Sequence, residues 1–231
     1  MKIRIIFIEE MLATLPGNKE IARDFVAAKN PNGPAVDETE VIENMAATLE
    51  KQTMYFARTV LAKKVESGHP FLYDYQVKGF FKGACQAMID SGIFTKDELK
   101  KNRLTRWTYK RTIDSQIHVA PRKVLFELPE GTDPQELSFC ERPLRGDTPK
   151  GERIALARSE AVPAGTAIVV DIRLLNRKLF GFVKAWLDFG QLIGIGGWRN
   201  SGKGRFDVEY LEQTEAEEKV KPVTPTKAEA T

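Results

Sequence analysis

The residues best suited to bind a ligand lie near the end of the chain, in a segment rich in glycine and positive charge. Residues 194–204 contain five glycines, and Arg199, Lys203 and Arg205 lie among or beside them. Glycine adopts positive φ without penalty and lets a ligand approach the backbone closely. Main-chain NH groups interleaved with cations suit a polyanion, most simply a phosphodiester chain. A phosphate-binding loop is therefore predicted. Its glycines are Gly194, Gly196, Gly197, Gly202 and Gly204.

Two other interpretations of this segment stay open. Residues 197–203 match the G-x-x-x-x-G-K spacing of a nucleotide-triphosphate loop, but position 204 is glycine, so the metal-binding hydroxyl is missing. That loop also leads from a strand into a helix, whose N-terminus faces the phosphates. Here a helical segment comes first and strand-like residues follow. The other alternative is a turn whose glycines only let a helix reverse into a strand.

Residues able to catalyse a reaction are few. His118 lies in an alternating apolar segment and is expected to point away from the core, where an imidazole could act as a general acid–base in RNA cleavage. Asp24 and Asp37 are the acids nearest the first strand, without a supporting motif. Cys85 and Cys140 are widely spaced and are expected to be small buried apolar residues. We predict no catalytic residue, no metal site and no cofactor.

Charge is segregated along the chain, although the formal net charge is only +3. Residues 37–50 carry five acids and no base, whereas residues 96–125 carry nine bases and three acids. This segregation predicts one acidic and one basic surface. Trp107 in the basic region could stack on a base, but we expect it to pack inside the protein.

The elements that must position these residues follow an α+β order. Strands are predicted over residues 2–8 and 205–211, helices over 75–89 and 177–192, and a hairpin from 154–160 to 166–174. This order fits a ferredoxin-like (RRM-like) core, β-α-β-β-α-β, with an antiparallel sheet. Residues 96–125 would be an insertion. Further helices are predicted over 18–29 and 38–51.

The domain boundaries follow from composition. Residues 1–211 are predicted to form one domain, and residues 212–231, poor in large apolar side chains, a disordered tail. The amino terminus has a charge inside its apolar run and no small-residue cleavage site, so a signal peptide is not predicted. Nor is any apolar stretch long enough to cross a bilayer. A cytoplasmic protein without a membrane partner is expected.

Three segments together resemble the RAMP superfamily of CRISPR-associated RNA-binding proteins, most of all the backbone subunits that line a guide RNA. The first is the glycine-rich segment with Arg199 and the strand after it. The second is residues 75–83, where Lys78, Gly79, Lys82 and Gly83 begin an apolar helix, as at the family's phosphate-contacting helix start. The third is residues 142–151 with 159–165, similar to the stretch that carries the projecting thumb hairpin.

The resemblance implies which residues bind RNA. Lys78 and Lys82, one helical turn apart, would present two cations to successive phosphates near the glycine-rich loop. Arg142, Arg145 and Lys150 would lie on or beside a mobile thumb, about residues 141–158, that inserts against the bases.

The same resemblance implies a function and partners. The chain would be a subunit that holds guide or single-stranded RNA by its phosphates and assembles head-to-tail with copies of itself or with CRISPR effector subunits. A solitary relative carried by a phage or mobile element is an equal possibility. Two alternatives are a metal-independent endoribonuclease of the repeat-processing branch and a phage-encoded mimic that caps or displaces a backbone subunit.

Overall fold

The computed structural model describes residues 1–16, 57–64, 67–148 and 151–212. The predictions that lie outside these residues are the helices over 18–29 and 38–51, Asp24, Asp37, Lys150 and the tail beyond residue 212. The described helices are α1 (Asp74–Asp90), α2 (Lys96–Lys101), α3 (Tyr109–Gln116) and α4 (Phe180–Asp188), with short 3-10 turns at Arg177–Leu179, Phe189–Gln191 and Arg199–Ser201. The described strands are β1 (Lys2–Phe7), β2 (Met11–Leu12), β3 (Leu15–Pro16), β4 (Ala57–Val60), β5 (Ala62–Lys63), β6 (Pro70–Tyr73), β7 (Ile117–Ala120), β8 (Lys123–Glu127), β9 (Phe139–Thr148), β10 (Gly151–Val162), β11 (Ala167–Leu174) and β12 (Phe206–Glu212).

The larger sheet has the strand order of a ferredoxin-like core. β1 lies between β11 and β12, and β7 and β8 pair with opposite ends of β11 on its other edge, all antiparallel. α1 follows β1 in the chain and α4 precedes β12, which completes the order β-α-β-β-α-β. The predicted α+β, ferredoxin-like fold with an antiparallel sheet is confirmed.

One face of this sheet is apolar and packs against α1 and α4. β1 buries Ile3, Ile5 and Phe7, which alternate with polar or half-buried residues as the period of a strand requires. Across the core, the rings of Phe80 on α1 and Phe206 at the start of β12 meet with centroids 4.9 Å apart. This contact ties the strand that follows the glycine-rich segment to α1.

Two predictions about the core strands are wrong. Residues 154–160 do not form a hairpin with 166–174, because β10 belongs to a second sheet and β11 pairs with β1, β7 and β8. The strand that follows α1 in the β-α-β-β-α-β order is instead formed by β7 and β8 together, which are separated at Pro121. Both begin inside the region expected to be an insertion. Alternating apolar residues identify a strand, but they do not specify the sheet that the strand joins.

The second sheet is built around β10. This strand pairs antiparallel with β9, forming a long hairpin over the segment predicted as a thumb, and parallel with β4. Glu160 of β10 is 4% exposed; its carboxylate accepts a hydrogen bond from the Leu61 NH (2.9 Å) and pairs with the Lys63 ammonium (2.6 Å). Glu160 therefore holds the β4–β5 segment against the base of the hairpin.

Replacing this buried carboxylate should destabilise the fold. Glu160→Ala leaves the buried Leu61 NH without an acceptor, so the free energy of unfolding in urea should fall by about 2 kcal/mol. Glu160→Gln keeps an acceptor and should lose less. Glu130→Ala, at an exposed position, is the control. Equal unfolding midpoints for Glu160→Ala and Glu130→Ala would contradict this role.

Cys85 provides a pH-dependent test of core packing. Cys85 is 2% exposed, and burial raises the pKa of its thiol from 9.0 to about 12. As pH rises from 9 to 12 the unfolded chain loses this proton and the native protein keeps it, so the free energy of unfolding should fall. Burial also raises the Tyr210 pKa to about 12, which adds to the same decline.

Removing the buried thiol should flatten this alkaline decline. We expect Cys85→Ala to show a shallower fall of the urea midpoint above pH 9, where the unfolded thiol ionises. Cys140→Ala is the matched control, because that thiol is only half-buried, and it should follow the wild type. The same slope in both variants would show that Cys85 does not contribute.

Candidate nucleic-acid interface

The glycine-rich loop, residues 194–204, and the first half of α1 lie at the same end of the core. β12 starts directly after the loop, with Phe206 opposite Phe7 at the end of β1. α1 is anchored at its start by Gln76, whose side chain accepts from the Tyr73 NH (2.9 Å) and donates to Thr14 Oγ1 (2.8 Å). Thr14 follows β2, so one side chain links the helix start to the segment after the first strand.

The base of the loop is closed by backbone contacts. Gly194 and Gly204 are buried, the Ile195 NH donates to the Gly204 carbonyl, and the Gly204 NH donates to the Glu10 carbonyl, both at 2.9 Å. A Cβ on Gly204 would lie 1.8 Å from the Ile195 oxygen, and one on Gly194 would lie 2.1 Å from the Gly204 carbonyl carbon. These two glycines are required for packing, and the Gly204 NH is already bound to the Glu10 carbonyl.

The next two glycines pack against the segment after β1. The Gly197 NH donates to the Leu12 carbonyl (2.9 Å), and a Cβ on Gly196, whose φ is +102°, would lie 2.6 Å from the same carbonyl oxygen. Gly196 nevertheless keeps a half-exposed backbone, and its NH donates to no acceptor in the described part of the chain. Of the loop amides, therefore, only some are available to a ligand.

The crest of the loop carries Arg199 toward α1. Trp198 adopts left-handed φ and ψ of 53° and 39°, a conformation that costs a non-glycine residue about 1–2 kcal/mol. The 3-10 turn that follows starts at Arg199, whose Nη1 lies 3.3 Å from the position of a Cβ on Gly83. Gly83 therefore makes room for this guanidinium.

Gly79 has no such packing explanation. Nothing lies within 4 Å of the position of its Cβ, and the residue is exposed although it is inside a helix. A glycine there lowers helix stability by about 1 kcal/mol relative to alanine. Lys78, beside it, forms no ion pair with any described residue.

Between α1 and the loop lies a surface that we call the α1–loop groove. It consists of two adjoining depressions of about 180 and 530 Å³ that share Gly196 and Arg199. The first is lined also by Thr14, Gln76 and Gly79, and the second by Gly83, Trp198 and Asn200. The groove thus joins the helix glycines predicted from the sequence to the crest of the glycine-rich loop.

The cations predicted to bind RNA differ in whether a carboxylate of the protein already pairs with them. Lys203 pairs with Glu10 (2.5 Å) and Arg205 with Glu9 (3.3 Å), and the hydrogen bond to Glu10 raises the pKa of Lys203. Lys82 pairs with Asp114 on α3 (2.6 Å). Arg199, like Lys78, has no acidic partner among the described residues. Arg199 is therefore the cation of the groove lining that has no acidic partner among the described residues, and Lys78 lies next to Gly79 on α1 outside that lining.

Arg142 links the hairpin to the loop. Its guanidinium carbon lies 4.9 Å above the centre of the Trp198 ring, a cation–π contact, and its Nε and Nη1 are shielded from solvent without a hydrogen-bond acceptor in the described part of the protein. Arg145 lies further out on β9, opposite Ile154. The stacking brings the Arg142 guanidinium against the Trp198 ring at the edge of the groove.

Other surfaces fit RNA less well. The open face of the larger sheet, where RRM-type proteins stack bases on aromatic rings, carries ion pairs of Arg4 with Glu127 and Glu209. His118 faces outward on β7 opposite Arg173, at the end of the sheet remote from the glycine-rich loop. Among the described residues there is no group of three or more His, Cys, Asp or Glu that could hold a metal, and no helix long and apolar enough to span a membrane.

Sequence inspection missed the acids that neutralise two of the predicted cations. Glu9 and Glu10 follow the first strand, and they come beside Lys203 and Arg205 because β1 pairs with β12. The sequence did contain a signal for this contact. In a ferredoxin-like core the first and last strands are antiparallel neighbours, so the residues after β1 lie beside the residues before β12. The prediction that Trp107 packs inside is wrong, because this residue is 92% exposed.

Comparison with known proteins gives matches among solved structures. No family profile and no curated protein matches the chain. A chain of "Type IV-B CRISPR Complex" is similar over 92% of this chain and 92% of its own length, with a TM-score of 0.45 and 13% identity. A chain of "Cryo-EM structure of the Type III-B Cmr-beta bound to cognate target RNA" is similar over 91% of this chain and 60% of its own length, with a TM-score of 0.42 and 8% identity.

The two kinds of glycine should respond oppositely to alanine. Gly79→Ala adds a methyl group in open space and removes a helix-interior glycine, so the free energy of unfolding should rise by about 1 kcal/mol. Gly204→Ala forces a Cβ onto a backbone oxygen at a φ of +70°, and should destabilise the protein by several kcal/mol, or prevent folding. Thermal melts of both variants test this, and a destabilised Gly79→Ala would show that the helix glycine is needed for packing.

Proposed function

We propose that this protein is an RNA-binding subunit of a CRISPR-type ribonucleoprotein, which holds guide or other single-stranded RNA by its phosphates in the α1–loop groove. The observation that carries the proposal is Arg199, a cation without an acidic partner among the described residues, in the same depression as the open helix glycine Gly79; Lys78, next to Gly79 on α1, is also unpaired among them. A phosphate can approach the helix backbone there because no side chain covers it. The sequence resemblance to RAMP backbone subunits supports the same site.

The charges of the groove favour a polyanion over a neutral ligand. Lys78 and Arg199 lack acidic partners among the described residues, so a phosphate would not have to displace a carboxylate to reach them. At Lys203 and Arg205 it would, because Glu10 and Glu9 already occupy their donors. RNA binding thus uses the first two residues as primary contacts and the second two as supports of the loop.

The groove also offers polar groups that suit a sugar–phosphate chain. Gln76, Thr14 and Asn200 lie along it, and the Gly196 NH donates to no acceptor in the described residues. Most hydrogen bonds to nucleic acid go to phosphates and sugars from such side chains and amides, and they carry no sequence information. Binding would therefore depend little on the base sequence.

The hairpin of β9 and β10 supplies the second part of the proposal, which is assembly along RNA. Arg142 at the base of this hairpin stacks on Trp198 at the edge of the groove, so the hairpin and the bound strand would lie side by side. Arg145 on the hairpin would then contact the bases or the neighbouring subunit; the same contact is expected of Lys150 from the sequence, although it lies outside the described residues. Head-to-tail copies, or other effector subunits, would each cover one stretch of RNA.

An RNA-binding measurement with a two-residue variant tests the site. Lys78→Ala combined with Arg199→Ala should weaken binding of single-stranded RNA roughly tenfold and reduce the slope of log affinity against log salt by about 0.7 for each lost phosphate contact. Fluorescence anisotropy at several salt concentrations measures both quantities. Light scattering with and without RNA shows whether the copies assemble along the strand.

The control removes the same charge from another surface. Lys2→Ala with Arg173→Ala takes two cations from the open face of the sheet, at the end remote from the groove, and should change affinity less than twofold beyond the general charge effect. If both double variants weaken binding equally, net charge alone is responsible and the groove is not the site. RNA cleavage that depends on His118 would support the endoribonuclease alternative instead.

A further inference from the structure

A second polar cleft lies between the loop after α2 and the helix α3, and we call it the α2–α3 cleft. Its volume is about 690 Å³, larger than either depression of the α1–loop groove. Every residue that lines it is polar or basic, and none is acidic. The lining includes three cations and three amide side chains, which are Lys101, Arg103, Arg111, Asn102, Gln116 and Asn176. A protein partner would meet no apolar centre in such a surface.

The three cations of the α2–α3 cleft are free. Lys101, Arg103 and Arg111 are exposed, and none forms an ion pair with any described residue. The neighbouring Arg106 differs, because it lies 3.8 Å from Asp90 at the end of α1. Amide side chains also line the cleft. Asn102 and Gln116 each use one amide NH inside the protein, on the Glu98 carbonyl (2.9 Å) and Ser115 Oγ (3.4 Å), and each keeps a second NH that could donate to an anion.

Arg103 occupies a backbone position that favours glycine. It follows the last turn of α2 with a φ of 55°, and the hydrogen bonds Arg103 NH to Lys100 O and Leu104 NH to Leu99 O complete a Schellman motif there. Its carbonyl accepts from the hydroxyls of Thr108 (2.8 Å) and Thr112 (2.7 Å). The fold therefore tolerates a left-handed arginine where glycine would be easier, and this places a guanidinium in the cleft.

Trp107 lies beside the cleft with its ring in solvent. It is 92% exposed, and the next residue, Thr108, lines the cleft. Such an indole contributes little to folding, because it buries almost no surface, but it offers a flat face to solvent one residue before the cleft lining begins at Thr108. Aromatic rings beside a basic groove are how proteins hold single-stranded nucleic acid, with bases stacked on the rings and phosphates on the cations.

From these observations we infer that the α2–α3 cleft is a second binding site for single-stranded nucleic acid, with phosphate on Arg103 and Arg111 and a base stacked on Trp107. The inference does not rest on the proposed function. Gln116 and Asn176 adjoin the pairing of β7 with the last residue of β11, at the Lys2 end of the sheet, whereas the α1–loop groove lies at the Phe7 end. A strand in one site does not fill the other.

The test is made in the Lys78→Ala, Arg199→Ala background, so that binding in the α1–loop groove is weakened first. Adding Arg103→Gly and Arg111→Ala should lower affinity for fluorescein-labelled single-stranded RNA roughly tenfold, and the salt slope by about 0.7 for each lost phosphate contact. Arg103→Gly relieves a left-handed non-glycine residue, so the melting temperature should stay equal or rise. The loss of binding would then not come from unfolding. The control of equal charge is here Arg4→Ala with Lys64→Ala, because neither residue lines the cleft, whereas Lys2 and Arg173 lie at the same end of the sheet as the cleft.

The stacking contact is tested separately. Trp107→Ala in the same background should weaken RNA binding about fivefold or more, whereas Trp107→Phe keeps a stacking ring and should stay near the parent protein. Both substitutions are at an exposed position and should leave the melting temperature unchanged. Photo-crosslinking of 4-thiouridine RNA, followed by peptide mapping, should place the label on the peptide that contains Trp107.

Defined results overturn the inference. Unchanged affinity in the Arg103→Gly, Arg111→Ala variant, or a loss equal to that of the charge control, means that the cleft does not bind RNA. Displacement by poly-glutamate as effective as by RNA, together with no effect of Trp107→Ala, means that the cleft accepts any polyanion, such as an acidic protein segment. If the Lys78→Ala, Arg199→Ala background itself binds RNA like the wild type, the proposed function fails while the cleft is still tested.

Discussion

The structure depends on one close backbone contact, where the base of the glycine-rich loop packs on the segment after the first strand. Gly204 touches Ile195 through its backbone and donates to the Glu10 carbonyl, and Gly197 donates to Leu12. Any side chain at Gly204 would collide with a carbonyl oxygen. This contact closes the loop and sets the register in which β12 begins beside β1. It also positions Arg199 next to Gly83 on α1.

The same contact changes what the glycine pattern means. Glycines next to cations are typical of a backbone cradle for phosphate, yet several of these amides donate within the protein and Lys203 pairs with a carboxylate. The loop is therefore a rigid support that presents a few groups, chiefly Arg199. Gly79 on α1 is a better indication of a bound ligand, because it faces open space although a glycine inside a helix lowers the stability of the helix.

The fold separates two basic surfaces. β1 and β11 run between the loop end and the Lys2 end of the sheet, so the α1–loop groove and the α2–α3 cleft lie at opposite ends of the sheet. The open face of the sheet, opposite the face that packs against α1 and α4, is charge-balanced by the ion pairs of Arg4.

The sequence by itself determined the ferredoxin-like order of elements, the basic region and the glycine-rich segment with cations beside it. These follow from local periodicity and from glycines and charges near one another in the chain. Only the tertiary structure decided that β10 leaves the main sheet, that Glu10 neutralises Lys203, and that Trp107 lies in solvent. Strand partners, ion pairs and exposure depend on residues distant in the chain, and local patterns do not contain that information.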